Sequence, residues 1–347
     1  MKTLRSSLLR PLLLVVLGLT ALPSCHDLDN WDNDIYGNFD ALWTEMDRHY
    51  CFFEEKGIDW DAVGRQYRAR LKPDMEVTEF FKVCSDMLAE CRDGHVNLSS
   101  WFDVSYYRKW WSDYPQNFNL RLIQEHYLDF DYHSSGSMIY KYLEEENVGY
   151  IYCSTFSTGY GQAFLDQAML SMKDSEGLIL DVRDNGGGDL STANDLVSQF
   201  IRERTLGGYI CHKDGPGHDD FSEPYAYFID PAKGRVHWTG KPIAVLTNRS
   251  TYSAANNFVS IMKSLPNVVV VGDATGGGCG MPFTSELPNG WSVRFSAAPI
   301  YDADRQLTEF GVQPTDGCQT DMTDADRQRG VDTIIARAFE ALTDMQR

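Results

Sequence analysis

A serine between an apolar strand and a helix is the residue best placed for nucleophilic chemistry. Ser253 follows the apolar run Ile243 to Leu246, and a helical pattern begins at Ala254. The amides that open a helix stabilise an anion, so a serine attacking a carbonyl here has donors for the oxyanion it creates. Serine is also a favoured N-cap, so the alternative role for Ser253 is to cap this helix.

Three consecutive glycines after another buried strand form a second candidate element. The stretch from Asp181 to Gly188 reads DVRDNGGG. Glycines in a row cost backbone entropy, which indicates a positive φ or a close approach of the main chain. A phosphate-binding loop does not fit, because GxGxxG and GxxxxGK[ST] patterns and a nearby lysine are absent from this stretch. Two interpretations of this stretch remain: its exposed amides stabilise an oxyanion, or it is a plain loop.

A serine nucleophile needs a base, and His95 is the best candidate. An imidazole has a pKa near 7 without burial, which suits it to accept the proton of a serine hydroxyl. His95 comes directly after a predicted helix that ends at Arg92-Asp93-Gly94. Lys263 lies ten residues beyond Ser253 on its helix, so we expect it to point away. The alternative for His95 is a capping or packing role.

The composition excludes several classes of protein. The formal net charge is −19 over 347 residues, and such a surface repels nucleic acid and anionic lipid, so no nucleic-acid partner is expected. Hydrophobic residues make up 43% of the chain, enough for a sizeable core. The cysteines show neither CxxC pairs nor His/Cys metal spacing, so we predict no structural metal, and no disulfide is specified.

The first 24 residues have the features of an export signal. Lys2, Arg5 and Arg10 precede the apolar run Pro11 to Leu22, which is too short for a permanent membrane span. The segment LPSC that ends at Cys25 resembles the lipobox of a bacterial lipoprotein. That resemblance implies a signal peptide over 1–24, a lipid on Cys25 that attaches the chain to a membrane, and a location in the cell envelope. An ordinary cleavable signal is the alternative.

Changes in hydrophobic periodicity divide the rest of the chain. After a polar tether (25–37), a helical period over 38–98 predicts a small N-terminal helical domain, and 99–147 is an irregular, aromatic-rich connecting segment. From 148 to 347, strands alternate with loops and helices, which predicts an α/β core with a mainly parallel sheet.

Several motifs follow one another along the chain: DGH at the exit of the helical domain, then DVRDNGGG, TYSAANN, VVVVGDATGGG and EFGVQP along the core. In this order they resemble the C-terminal processing peptidase family of serine proteases, most closely its tricorn-like branch. The resemblance covers roughly residues 38–340. It implies a crotonase/ClpP-like core, serine-type endopeptidase or oligopeptidase activity on peptides or unfolded proteins, and no cofactor. The connecting segment is too short for the PDZ domain of tail-specific members, so no PDZ domain is expected.

The resemblance also assigns roles to individual residues. Ser253 matches the nucleophile and His95 the general base; the amide of Ala254 matches one oxyanion donor, and Gly186 or Gly187 the other. Glu309 lies close to the place of a glutamate that orients the histidine through a further hydroxyl. One branch of the family uses a lysine base in the glycine-rich turn, but the corresponding residue here is Gly278, which argues against that mechanism.

Two other functions are compatible with the sequence. A non-catalytic lipoprotein that binds a peptide or a hydrophobic ligand on the same fold is one, since Gly278 replaces the lysine and Gly94 replaces the hydroxyl expected before His95. An acyl-CoA enzyme of the related crotonase-like fold is the other, and the acidic surface and export signal argue against it.

Overall fold

The computed structural model describes residues 31–234, 238 and 240–347, which form ten helices and eleven strands. The predicted signal peptide, Cys25 and the first residues of the predicted tether lie outside the described residues. The helices are α1 (Ile35–His49), α2 (Trp60–Arg68), α3 (Val77–Ala89), α4 (Lys109–Ser112), α5 (Leu120–His126), α6 (Gln162–Ser171), α7 (Leu190–Val197), α8 (Ala254–Lys263), α9 (Asp324–Gln328) and α10 (Thr333–Met345). The strands are β1 (Asn97–Ser99), β2 (His133–Ser135), β3 (Met138–Leu143), β4 (Val148–Cys153), β5 (Gly177–Asp181), β6 (Thr205–Ile210), β7 (Tyr225–Ile229), β8 (Ile243–Thr247), β9 (Val268–Gly272), β10 (Gly280–Glu286) and β11 (Ser292–Tyr301).

Helices α1 to α3 form the predicted N-terminal helical layer. Aspartates open the first two: Asp34 accepts the Gly37 amide at 2.7 Å, and Asp59 accepts the Ala62 amide at 2.8 Å, as N-caps do. The buried faces of these helices pack on one another and on the apolar face of β11, which carries Phe295. The helical layer therefore shares a hydrophobic core with a strand from the C-terminal half of the chain. None of the described helices is long and apolar enough to cross a membrane.

A six-stranded sheet lies at the centre of the molecule. Its order is β2-β3-β4-β5-β8-β9, and β4, β5, β8 and β9 are parallel. Every residue of β4, β5 and β8 is buried, because α6, α7 and α8 cover one face and α5 and α10 cover the other. The predicted α/β fold with a parallel-sheet core and N-terminal helices is confirmed. The predicted boundary at residue 148 falls between β3 and β4, which are antiparallel partners in this sheet.

A second sheet is built around β11. This strand pairs with β1, β6 and β10, and β6 continues into an antiparallel hairpin with β7. Because β1 begins two residues after His95, the pairing of β1 with β11 fixes the exit of the helical layer against the core. The carboxyl ends of β5 and β8 and the start of α8 meet the second sheet at this place.

Candidate active site

Ser253 stands at the corner between β8 and α8 in a conformation that few residues other than glycine adopt. Its φ is 58° and its ψ is −123°, which costs free energy and is typical of functional positions. The Ser253 amide donates to the Gly277 carbonyl at 2.9 Å, and the Tyr252 amide donates to the Asn185 carbonyl at 3.0 Å. These bonds hold the corner. Ser253 makes no side-chain capping hydrogen bond to α8, so its hydroxyl is available to another partner.

That partner is His95. The Nε2 atom of His95 lies 3.0 Å from the Oγ atom of Ser253, although the two residues are 158 positions apart in sequence. The His95 ring is buried and packs 5.0 Å from the ring of Tyr252, measured between centroids. The structure therefore brings the predicted nucleophile and the predicted base within hydrogen-bond distance.

A chain of hydrogen bonds orients the imidazole. Its Nδ1 atom lies 3.4 Å from Ser296 Oγ, and that hydroxyl donates to Asp93 Oδ2 at 2.9 Å. Since the proton of Ser296 goes to Asp93, its oxygen accepts from Nδ1–H, which leaves the lone pair on Nε2 facing Ser253. We assign this tautomer from the hydrogen-bond network. Asp93 also fixes the backbone, because its Oδ1 accepts the His95 amide at 2.7 Å.

Asp93 is a buried carboxylate surrounded by donors. Besides Ser296 and the His95 amide, it accepts from Tyr50 at 3.1 Å and Tyr252 at 3.2 Å, and Lys56 Nζ lies 3.6 Å from its Oδ2 atom. Hydrogen bonds and a nearby cation are what a buried charge requires. Together with Lys56 and Glu309, Asp93 forms a buried group that we call the Asp93 cluster.

The structure corrects the role expected for Glu309. Its Oε1 atom lies 2.7 Å from Lys56 Nζ, and its Oε2 atom accepts the Cys279 amide at 3.0 Å. Glu309 thus reaches His95 only through Lys56 and Asp93. The hydroxyl that contacts His95 belongs to Ser296, and the carboxylate behind that hydroxyl is Asp93. The physical reason is that Lys56 lies between the two carboxylates and attracts both.

Burial and charge set the protonation states of the site. Burial lowers the pKa of His95 to about 4, helped by the positive charges of Arg294 and Lys56 and opposed by Asp93, so the ring is neutral at pH 7 and able to accept a proton. Burial acts to raise the pKa of Asp93, but Lys56, His95 and the hydrogen bonds outweigh it and bring that pKa below its ordinary value. Burial and the negative charge of Asp93 raise the pKa of Glu309 to about 7.

The glycine-rich loop after β5 packs directly against the serine corner. Gly187 has a φ of 96°, and a Cβ atom there would lie 2.9 Å from the Cβ atom of Ser253, so only glycine fits. The Gly187 amide donates to Asn185 Oδ1 at 2.9 Å, which removes it as a donor to substrate. Among the described residues, no acceptor is found for the amides of Gly186 and Ala254. Of the predicted oxyanion donors, these two are the ones left free.

The structure gives a physical reason why a lysine base does not occur at position 278. Gly278 has a φ of 76°, and a Cβ atom there would lie 2.3 Å from a ring carbon of Tyr252. Any side chain would collide with that ring. Lys263 also points elsewhere, because its Nζ atom donates to the Gln313 carbonyl at 2.8 Å.

A cavity of about 740 Å³ opens at the Ser253–His95 pair. Its walls combine the glycine-rich loop, the start of β10 and part of the aromatic-rich connecting segment. Trp110 from that segment stacks on Tyr252 at a centroid distance of 4.0 Å. Such a volume accommodates a short stretch of extended peptide. Gly186, Asp189 and Arg294 are among the residues that line this cavity.

Sequence reasoning missed Ser296, Lys56, Tyr50 and Tyr252. Ser296 lies on β11 and Lys56 in the turn between α1 and α2, so both reach the site only through tertiary packing. Alternation along β11 places Ser296 opposite the apolar face of Phe295, which gives a weak signal for Ser296 alone. Asp93 was part of the DGH motif, and its role follows from the tight turn that lets it accept the amide two residues later.

Comparison with known proteins supports the relationship that the motifs suggest. The sequence pattern of peptidase family S41 matches residues 147–316, and that of the tricorn protease C1 domain matches residues 32–89. A candidate peptidase from Parabacteroides merdae ATCC 43184 is similar in crystal structure, with 47% identity, a TM-score of 0.84, and coverage of 90% of this chain and 97% of that one.

More distant relatives agree in part. Carboxy-terminal processing protease CtpB of Bacillus subtilis (strain 168) is 28% identical over 138 residues, which cover 40% of this chain and 26% of CtpB. The match to CtpA of the same organism covers 36% of that protein, so the aligned region spans well under half of these curated relatives. A structure of mature CPAF shares the fold at 12% identity, with a TM-score of 0.70 and coverage of 90% and 97%. The chain belongs to peptidase family S41 and carries a tricorn C1-type helical domain at its N-terminus.

Proposed function

We propose that the protein is a serine endopeptidase or oligopeptidase that hydrolyses peptide bonds through an acyl-enzyme on Ser253. The observation that carries the proposal is the 3.0 Å separation of Ser253 Oγ and His95 Nε2, combined with the absence of a capping bond from Ser253 to α8. An activated serine requires a neutral base within hydrogen-bond distance of its hydroxyl, and that hydroxyl must not be engaged in capping a helix. Both conditions are met here.

In the first half of the reaction, Ser253 Oγ bonds to the substrate carbonyl carbon while its proton passes to His95 Nε2. The carbonyl π electrons move to oxygen, where the free amides of Gly186 and Ala254 donate to the oxyanion. As the tetrahedral intermediate collapses, the C–N bond breaks and the leaving nitrogen takes the proton from His95. An ester on Ser253 remains.

In the second half, water attacks the ester and gives its proton to His95. The carbonyl re-forms, the C–O bond to Ser253 breaks, and Oγ recovers the proton from His95. Ser296 and Asp93 stabilise each imidazolium that forms, because Nδ1–H donates to Ser296, whose hydroxyl donates to the Asp93 carboxylate. His95 thus alternates between base and acid without leaving its position.

The cavity supports peptides or unfolded protein segments as substrates. It is open to solvent and lined by aromatic and glycine residues, which suits an extended chain better than a compact domain. We further propose that the protein is exported and anchored in the cell envelope through a lipid on Cys25, on the basis of the N-terminal motif alone. The wild type should incorporate labelled palmitate, and Cys25→Ala should not. Equal labelling of the wild type and Cys25→Ala would rule out this anchor.

Hydrolysis of an unstructured protein such as β-casein tests the proposed activity. We expect Ser253→Ala to lose cleavage by at least about 10³-fold, because the nucleophile is removed. Ser264→Ala, at the opposite end of α8, is the matched control and should cleave at the wild-type rate. Equal cleavage by wild type and Ser253→Ala, or no cleavage by wild type, would favour the ligand-binding alternative instead.

A further inference from the structure

Arg294 is a charged side chain of the cavity that the proposed mechanism does not use. It lies on β11 opposite Asn97 of β1 and Thr284 of β10. Since side chains alternate along a strand, Arg294 shares a face with Ser296, the residue that orients His95. Arg294 and His95 both line the cavity. The guanidinium is therefore placed beside the catalytic pair.

No carboxylate of the described residues forms an ion pair with Arg294. Asp93 is close enough to interact with it electrostatically, but the oxygens of Asp93 are occupied by His95, Ser296, Tyr50 and Tyr252. Arg294 is only partly exposed, and this burial lowers the pKa of its guanidinium. A partly buried cation without a counter-charge is unfavourable unless a ligand supplies one.

Another buried arginine of the same chain shows the usual solution. Arg183 is fully buried, and it donates to Asp181 at 2.6 and 2.9 Å and to Asp332 at 3.0 and 3.1 Å. Two carboxylates of the protein thus neutralise Arg183. Arg294 has no such partner in the part of the chain that the structure describes, although it lines the cavity that a substrate would enter.

We propose that Arg294 binds a carboxylate of the peptide substrate beside the scissile bond, so that the protein prefers substrates with an acidic group at this place. The inference rests on the proposed function and specifies its substrate class. The carboxylate belongs either to an Asp or Glu side chain or to the C-terminus of the peptide. A guanidinium suits both, because it pairs with a carboxylate through two parallel hydrogen bonds.

Another charged residue of the cavity wall favours this placement. Asp189, next to Gly188, is exposed and lines the cavity on the side of the glycine-rich loop. A substrate carboxylate at that side would meet a like charge, and at the Arg294 side it would meet an opposite one. Charge therefore discriminates between the two directions in which an acidic peptide can lie.

Binding of a carboxylate has a consequence for the chemistry. The charge of Arg294 is one of the factors that hold the pKa of His95 low. A carboxylate paired with Arg294 offsets that charge, which makes the imidazolium formed during attack less unfavourable. The preference should therefore appear in kcat as well as in KM, because the interaction strengthens in the transition state.

Cleavage of matched peptides tests the proposal. A neutral peptide cut by the wild type is first identified from a casein digest, and Glu is then compared with Gln at each of the three positions on either side of the cut, with a free or amidated C-terminus. We expect one carboxylate to raise kcat/KM about 10-fold over its neutral match, as a charge-assisted hydrogen bond does. Dependence on amidation identifies the terminal carboxylate, and dependence on Glu identifies a side chain.

Variants of Arg294 decide whether this residue is responsible. Arg294→Gln should bring the acidic-to-neutral ratio of kcat/KM close to 1, and Arg294→Lys should keep part of the preference. Arg204→Gln removes the same charge from an exposed site outside the cavity and should leave the ratio unchanged. A wild-type ratio near 1, or a ratio that Arg294→Gln does not alter, overturns the proposal even if Ser253-dependent cleavage is confirmed.

A binding measurement keeps the proposal testable if hydrolysis itself fails. Fluorescently labelled acidic and neutral peptides are titrated with Ser253→Ala and with the Ser253→Ala, Arg294→Gln double variant. We expect about 10-fold tighter binding of the acidic peptide, lost in the double variant. Equal affinity of Ser253→Ala for both peptides refutes the role of Arg294. If the wild type cleaves no peptide but Ser253→Ala still binds the acidic peptide more tightly, only the proposed catalysis is refuted.

Discussion

Two buried charge clusters of this protein share one arrangement but serve different purposes. In the first, which we call the Arg183 cluster, Arg183 lies between Asp181 and Asp332 with two short hydrogen bonds to each. In the Asp93 cluster, Lys56 lies between Asp93 and Glu309. Both place one cation between two carboxylates in the interior, where unpaired charges are costly.

The difference lies in the cation and in what surrounds it. The fork of Arg183 fixes both carboxylates, and Asp332 in turn caps α10 by accepting the amides of Ile334 and Ile335, so this cluster connects elements rigidly. Lys56 supplies only a point charge, and burial and the charge of Asp93 outweigh it and raise the pKa of Glu309 to about 7. The Arg183 cluster therefore stabilises the fold, while the Asp93 cluster adjusts the charge behind His95.

Removing the base gives the largest expected effect on the catalytic side of this comparison. His95→Gln should lower kcat/KM by about 10³-fold, because Ser253 loses its proton acceptor, while the melting temperature stays close to that of wild type. His133→Gln, at an exposed residue of β2, is the control. Wild-type kcat/KM in His95→Gln would show that the base lies elsewhere.

Breaking the Arg183 cluster should have a comparably large effect, but on stability. Asp332→Ala leaves Arg183 short of a counter-charge and α10 without its N-cap, which should lower the free energy of unfolding by about 3–5 kcal/mol. Urea titration measures this change. Protein that remains folded should keep nearly normal kcat, and Asp324→Ala, at an exposed side chain, should be neutral in both assays. If Asp332→Ala instead lost activity without losing stability, the assignment of the two clusters would be reversed.

Removing the Ser296 hydroxyl, which lies between His95 and Asp93, should have a moderate effect. Ser296→Ala removes the acceptor of Nδ1–H and the hydroxyl that donates to Asp93. It should lower kcat about 10-fold with little change in KM, because His95 is less well oriented. Ser292→Ala, four residues earlier on β11, should behave as wild type. A raised KM at constant kcat would mean that Ser296 contacts substrate rather than orienting His95.

A further prediction concerns the pH dependence of stability. The pKa of Glu309 is raised from 4.5 to about 7 in the folded protein, so between these values the folded state holds a proton that the unfolded state has lost. Stability from this group therefore falls as pH rises through that window. The stability of wild type minus that of Glu309→Gln should decrease from pH 4.5 to 7 and be flat outside it. His95, with its lowered pKa, contributes in the opposite sense but is present in both proteins.

A difference curve that is flat across this window would contradict the coupling of Glu309 to Asp93. The same curve measured in an Asp93→Asn background sharpens the result. Without the neighbouring negative charge, the pKa of Glu309 should fall, and the decrease should end at a lower pH.

The sequence allowed prediction of those parts of the fold and site that depend on local pattern. Strand β8, with its run Ile243 to Leu246, is continuously apolar because both faces of the parallel sheet are covered. Runs of this kind predict the α/β class. Ser253 and His95 each stand at the end of an element within a distinct motif. Such residues can be recognised before the fold is known.

The remaining features depend on contacts between distant segments. Lys56 belongs to none of the motifs recognised in the sequence, yet its Nζ atom lies between Asp93 and Glu309 in the folded chain. The role expected for Glu309 was therefore wrong in its partner, although the residue does belong to the site. Gly187 was likewise predicted as an oxyanion donor, but its amide donates to Asn185 Oδ1 instead. No local pattern reveals such competition for a donor.

The central claim is that a neutral His95 with an unusually low pKa activates Ser253. The rate at which a fluorophosphonate labels Ser253, followed by intact mass as a function of pH, tests it most directly. We predict a rate that is constant from pH 8 to about 5, falls tenfold per unit below a midpoint near pH 4, and is abolished in Ser253→Ala and reduced about 10³-fold in His95→Gln. Labelling of another residue, or a rate that does not respond to His95→Gln, would contradict the account.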